Sequence, residues 1–97
     1  MSQIIFTDEF IGDFERLHMF LNEKNPFAAQ KLAGLLEQKL DLLATIPRAF
    51  PFFGEFRLYL LEFGSSGYVI LYDYQENSDT VVLLRMNHQK ESGFTEA

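Results

Sequence analysis

The chain of 97 residues has no cysteine, which excludes disulfides, thiolate metal sites and thiol nucleophiles. Histidine is nearly as scarce. Only His18 and His88 occur, and no His/Glu or His/Asp spacing suits a metal, so neither a zinc or iron site nor any cofactor is expected. Positive charge is also short, since 8 basic against 14 acidic side chains leave a net charge of −6. Tight generic binding to nucleic acid depends on neutralising phosphates, so any such contact must be local. The start MSQIIFTDEF has neither a basic region nor a long apolar one, and no apolar run approaches the length of a membrane span. A soluble, cytoplasmic protein without membrane contact is expected. There are no repeats or low-complexity segments.

What the chain does have is apolar substance. Hydrophobic residues make up 47% and aromatic residues 15%, enough to offset chain entropy and fold. The length suits one domain spanning residues 1–97. Gln3 to Phe6 reads as a short strand. Thr7 follows as a helix N-cap, with Asp8 and Glu9 in the first turn. Phe10, Phe14, Leu17 and Leu21 recur at helical spacing, with Asp13, Glu15 and Arg16 read as the wet side; Gly12 weakens this helix slightly. Asn22 to Asn25 breaks the pattern, and Asn25-Pro26 restarts it as cap and first helical residue. Leu32, Leu36, Leu40 and Leu43 form the second stripe, widened by Leu35. Ala28, Ala29, Ala33 and Gly34 are expected to let a neighbour approach before Pro47 stops the helix.

Residues 48–55, RAFPFFGE, form an aromatic connector. Phe50, Phe52 and Phe53 either fold under and close one end of the core or stay exposed as a binding patch. Three apolar segments then run from Phe56 to His88. The first two, Phe56 to Phe63 and Tyr68 to Tyr74, are joined by Gly64-Ser65-Ser66-Gly67 as a hairpin loop, and the polar turn Gln75 to Asp79 leads into the third. The fold class is therefore α+β, ordered β-α-α-β-β-β, with a helix hairpin packed on a mainly antiparallel sheet. Large side chains on both strand faces predict that the face away from the helices is partly apolar and open.

Few residues carry possible chemistry. The Gly64–Gly67 loop lacks a following helix and a nearby Lys, so it is a turn and not a phosphate cradle. Ser65, Ser66, Ser78 and Ser92 have no signature of a positioned base. What remains is Arg57, Arg85, Asn87, His88 and Lys90, cations and a titratable ring near the last strand. Regular alternation would place Arg85 with Val81 and Leu83, and His88 with Val82, Leu84 and Met86, so the two would converge only with a bulge. The alternative for Arg57 and Arg85 is structural pairing with acids such as Glu62 or Asp73.

The element order and four segments resemble the RelE/ParE superfamily of toxins from bacterial toxin–antitoxin pairs. The segments are NPFAAQKLAGLLEQKLDLLATIP, FRLYL with Arg57, GYVILY at Gly67 to Tyr72, and VVLLRMNH at Val81 to His88, and the resemblance covers nearly the whole chain. It implies the fold given above and a cognate antitoxin that wraps the open sheet face and the helix hairpin, in an assembly such as a heterotetramer. Partner-binding candidates are Phe50, Phe52, Phe53, Tyr68, Tyr72 and Arg85.

The resemblance also implies two competing activities. RelE-like members cleave messenger RNA on the ribosome, and here their arginine after Gly-Tyr falls at Val69 and their late tyrosine at about Phe94. Neither residue can clamp a phosphate or give up a proton, although Lys90 keeps one basic position. The Leu-Leu-Arg-x-x-His run resembles the ParE branch, whose members inhibit DNA gyrase by binding it. A ParE-like gyrase inhibitor, more a binder than an enzyme, is thus the leading expectation. The alternative is a ribosome-dependent endoribonuclease using Arg57, Arg85, His88 and Lys90. A second alternative is a diverged, non-toxic antitoxin-binding module. It is raised by the charge of residues 56–97, where three bases face six acids and repel phosphate over a Debye length of about 8 Å.

Overall fold

The computed structural model describes residues 1–91. Phe94, the position of the late tyrosine in RelE-like toxins, lies outside the described residues. Strand β1 spans Gln3–Phe6, helix α1 Asp8–Lys24, helix α2 Pro26–Thr45, strand β2 Phe52–Phe53, β3 Phe56–Phe63, β4 Ser66–Gln75 and β5 Thr80–His88. The five strands form one sheet in the order β1-β5-β4-β3-β2. Strand β1 runs parallel to β5, and every other pair is antiparallel.

Local signals set the helix ends. The Thr7 hydroxyl oxygen accepts a hydrogen bond from the Phe10 N–H at 3.2 Å and donates its own proton to the Leu83 carbonyl at 2.7 Å. One side chain thereby starts α1 and fastens it to β5. Asn25 serves both helices. Its N–H donates to the Leu21 carbonyl at 2.7 Å and its side-chain oxygen accepts from the Ala28 N–H at 3.2 Å, so the hairpin turns within a single residue.

The helices cover one face of the sheet. Phe10 and Leu17 of α1 and Leu32, Leu36, Leu40 and Leu43 of α2 meet Tyr59, Leu61, Tyr68, Ile70, Tyr72, Val81, Leu83 and Met86, all buried. Ala29 is buried with them, but Ala33 and Gly34 face solvent. The small-residue contact therefore narrows to one alanine, because the four leucines already turn the packed stripe away from Gly34. A methyl group built on Gly12 or Gly34 meets nothing within 4 Å. Gly12→Ala and Gly34→Ala should each raise stability by about 0.5–1 kcal/mol, read as a higher melting temperature.

The first hairpin loop is tighter than the sequence suggests. Phe63 pairs with Ser66, so only Gly64 and Ser65 turn, with Gly64 at φ 61° as the first central residue of a type II′ turn requires. Ser66 and Gly67 belong to β4. A Cβ on Gly67 would lie 2.7 Å from the Leu61 carbonyl oxygen, which restricts that position to glycine.

The uncovered face is apolar, as expected. Register aligns Ile5 with Val82, Leu58 with Leu71 and Leu60 with Val69 on it, and Ile5 and Leu60 remain 44% and 45% exposed.

Candidate functional site

The residues singled out for chemistry sit on three parts of the sheet. Arg57, at the start of β3, turns back on the connector: its guanidinium donates to the carbonyls of Arg48 at 3.2 Å and Phe50 at 2.7 Å, and stacks 3.8 Å from the centre of the Phe52 ring. The connector itself is divided. Phe50 packs edge-on against Tyr59 with centroids 4.8 Å apart, Phe53 is half-buried in β2, and Phe52 is 67% exposed beneath the arginine. It is thus part core and part surface.

Arg85 lies at the edge of β5 that β1 leaves unpaired. Tyr72 pairs with Leu83 and Leu71 with Arg85, so Leu84 is an extra residue, a β-bulge. This bulge precedes both Arg85 and His88 and exchanges their faces together. Arg85 moves to the open face opposite Leu71, His88 moves to the helix-covered face opposite Tyr68, and the two remain apart.

Arg85 pairs with neither Glu62 nor Asp73. Its Nε and Nη2 donate to the two oxygens of Asp13 on α1 at 2.8 and 3.2 Å, and the Met86 N–H donates to the same carboxylate at 2.9 Å. Burial alone would raise the Asp13 pKa, but the bonds from Arg85 and Met86, with the charge of Arg85, outweigh it and hold the carboxyl below its usual value. Asp13 in turn raises the Arg85 pKa. The sequence pattern places Asp13 on the wet side of α1, yet it is buried at 8% exposure. The signal was present in the spacing: Asp13 lies three residues after Phe10 and four before Leu17, on the buried stripe itself.

His88 ends β5 beside a cleft of about 520 Å³ whose apolar wall comprises Leu17, Phe20, Leu21 and Tyr68, with Arg16, Lys90 and Glu91 at its lip. The Lys90 N–H donates to His88 Nδ1 at 3.1 Å, which puts the proton of the neutral ring on Nε2, facing Ser66 Oγ at 3.1 Å. A histidine that donates to a serine is not the base a nucleophilic serine needs. The ring also stands edge-on to Tyr68, centroids 5.1 Å apart. Arg16 closes part of the lip through an ion pair with Glu91 at 3.0 Å.

These positions do not make one catalytic cluster. Arg57 is opposite Tyr72 and His88 opposite Tyr68, four residues and about 13 Å apart along β4. Val69 is on the open face beside Leu60 and Asn87. Of the aromatic partner-binding candidates, Tyr72 is fully buried and offers a partner no surface, and Tyr68 retains only 5% exposure. Among the described residues no group of three or more His, Asp or Glu side chains can hold a metal, and no helix is long and apolar enough to cross a membrane.

A sequence-family model for the ParE toxin of type II toxin–antitoxin systems, parDE, matches residues 4–93. The chain belongs to the ParE toxin family. No curated protein matches its sequence. Among solved structures, this ParE family member is similar to a chain of the intact Escherichia coli RelBE toxin–antitoxin complex, with 16% identity, 94% of this chain and 100% of that chain covered, and a TM-score of 0.60. It is similar to the isolated E. coli RelE toxin at 17% identity over 95% and 88%, TM-score 0.60. A metal-bound toxin from Helicobacter pylori matches at 20% identity over 92% and 96%, TM-score 0.51. At these identities the likeness is one of fold, and ParE and RelE toxins share it.

Proposed function

We propose that this ParE family member inhibits DNA gyrase by binding it, acts in the cytoplasm, and is neutralised by an antitoxin encoded beside it. The observation that supports binding over catalysis is the commitment of its arginines. Arg57 is held by two backbone carbonyls and Arg85 by Asp13, on different faces, so they do not flank a common phosphate. The antitoxin has two apolar surfaces suited to a tail that folds on binding: the open sheet face, and a groove of about 360 Å³ between the helices, walled by Phe10, Phe14, Leu36 and Leu40. A heterotetramer of two toxins and two antitoxins is consistent with both being covered.

Purified protein should block supercoiling by gyrase and trap cleaved DNA. Unchanged supercoiling at micromolar protein rejects gyrase as the target. The rival implied by the RelE/ParE resemblance is a ribosome-dependent mRNA endoribonuclease using Arg57, Arg85, His88 and Lys90. Cleavage of message on translating ribosomes, abolished by His88→Ala, would establish it in place of gyrase inhibition. An expressed protein that leaves growth unaffected yet binds antitoxin tightly would instead be the non-toxic binding module.

A further inference from the structure

The turn of the helix hairpin carries more apolar surface than a turn requires. Residues 22–27 are all exposed, so the tip stands clear of the sheet. Met19 and Phe20, just before it, are 63% and 62% exposed, and Phe27 is 84% exposed, the most open large apolar side chain among the described residues. None of the three is in the core that holds the helices to the sheet. Exposed aromatics grouped at one end of a small protein mark an interaction surface.

Charge and shape narrow the partner. Between residues 17 and 31 the bases Lys24 and Lys31 face a single acid, Glu23, a local excess of one positive charge in a chain whose net charge is −6, while the neighbouring Arg16 is paired with Glu91. The Lys24 ammonium lies 4.9 Å from the centre of the Phe20 ring, so a cation and an aromatic face are presented together. The complement of this surface is apolar at its centre and acidic at its rim. It is also concave. A disordered tail seeks grooves such as the one between the helices, whereas a projecting tip needs a preformed hollow in a folded protein.

We propose that the hairpin tip, through Phe20, Lys24 and Phe27, inserts into a carboxylate-rimmed apolar pocket on the protein that this toxin inhibits. The inference rests on the toxin reading above and assigns the inhibitory contact to a surface separate from the antitoxin's. It is tested with the full chain as wild type, as Phe27→Ser, and as Phe27→Ser combined with Lys24→Glu, all at exposed positions. Gyrase inhibition, binding of the neighbouring antitoxin and melting temperature are measured for each. The combined variant is expected to need about thirtyfold more protein for half-inhibition, with antitoxin binding unchanged and the melting temperature only slightly lower, because Lys24 sits in the last turn of α1. Wild-type inhibition by that variant overturns the proposal, as does an equal loss of antitoxin binding. If the wild type leaves gyrase untouched, the gyrase reading fails and growth arrest on expression becomes the readout. A variant that spares growth while binding antitoxin then supports tip docking on another target. A variant as toxic as the wild type, or a wild type that is harmless, overturns it.

Discussion

Asp13→Ala is expected to cost about 2–3 kcal/mol. The carboxylate answers three N–H groups on β5 at once, two from Arg85 and one from the Met86 backbone. Its removal leaves the Met86 N–H without an acceptor beside a fully buried side chain. The Arg85 side chain is 49% exposed, so water takes back its guanidinium and the loss stays below that for a wholly buried pair. For a chain of this size the melting temperature should fall by about 10–20 °C. Asp13→Asn keeps one acceptor for Met86 but loses the charge and the second acceptor for Arg85, so it should fall between wild type and alanine. Equal melting of Asp13→Ala and wild type would show that the contact contributes nothing.

Acid should weaken the protein through the same group. The pKa values of Asp13, Asp79 and Glu91 are all lowered in the fold. Hydrogen bonds from Ser2 and Tyr74 are the cause at Asp79; at Glu91, burial is outweighed by the His88 N–H and Arg16. Carboxyls with lowered values bind protons less tightly folded than unfolded. Their stabilisation is complete above the ordinary values of 3.8 for Asp and 4.5 for Glu and is lost as pH falls through the folded ones. Urea midpoints should hold steady from pH 7 to about 5 and then drop, less steeply in Asp13→Asn. A midpoint that rises on acidification would contradict the assignment.

The fold was legible because its signals are local. Thr7, Asn25 and Pro26 mark helix ends by their own chemistry, and the leucines of α2 repeat at a period that only a helix satisfies. The site was less legible because it depends on one extra residue. The bulge at Leu84 exchanges the faces of everything after it, and nothing in Val82-Leu83-Leu84-Arg85 announces where a strand will slip. Partner choice was hidden for a related reason: Glu62 and Asp73 are near Arg57 and Arg85 in sequence, whereas Asp13 comes within reach only when α1 crosses the unpaired edge of β5. Family resemblance agreed with the element order but supplied none of these contacts. The same limit applies to function, since ParE and RelE toxins differ in side chains laid on a common sheet.

Tyr72 gives the second large effect, and it separates folding from partner contact. The side chain is fully buried and its hydroxyl donates to the Pro47 carbonyl at 2.7 Å, tying the middle of the sheet to the chain just after α2. Tyr72→Ala should cost about 3–5 kcal/mol through the cavity it leaves, enough to unfold a marginal domain of this size. Tyr72→Phe keeps the ring and loses only the bond, for about 1 kcal/mol. Burial pushes the hydroxyl pKa from 10.0 up to about 12, against a smaller opposing effect of Arg57. A raised value means the folded state holds its proton more tightly, so this stabilisation is full below pH 10.0 and disappears as pH rises towards about 12. Tyr72→Phe should therefore lose part of the alkaline sensitivity of the wild type, visible in urea midpoints between pH 10 and about 12. With no surface left on Tyr72 for a partner, Tyr72→Phe should bind antitoxin as the wild type does, while Tyr72→Ala should fail only in proportion to its unfolded fraction. A folded Tyr72→Phe protein that no longer binds antitoxin would return this residue to the interface.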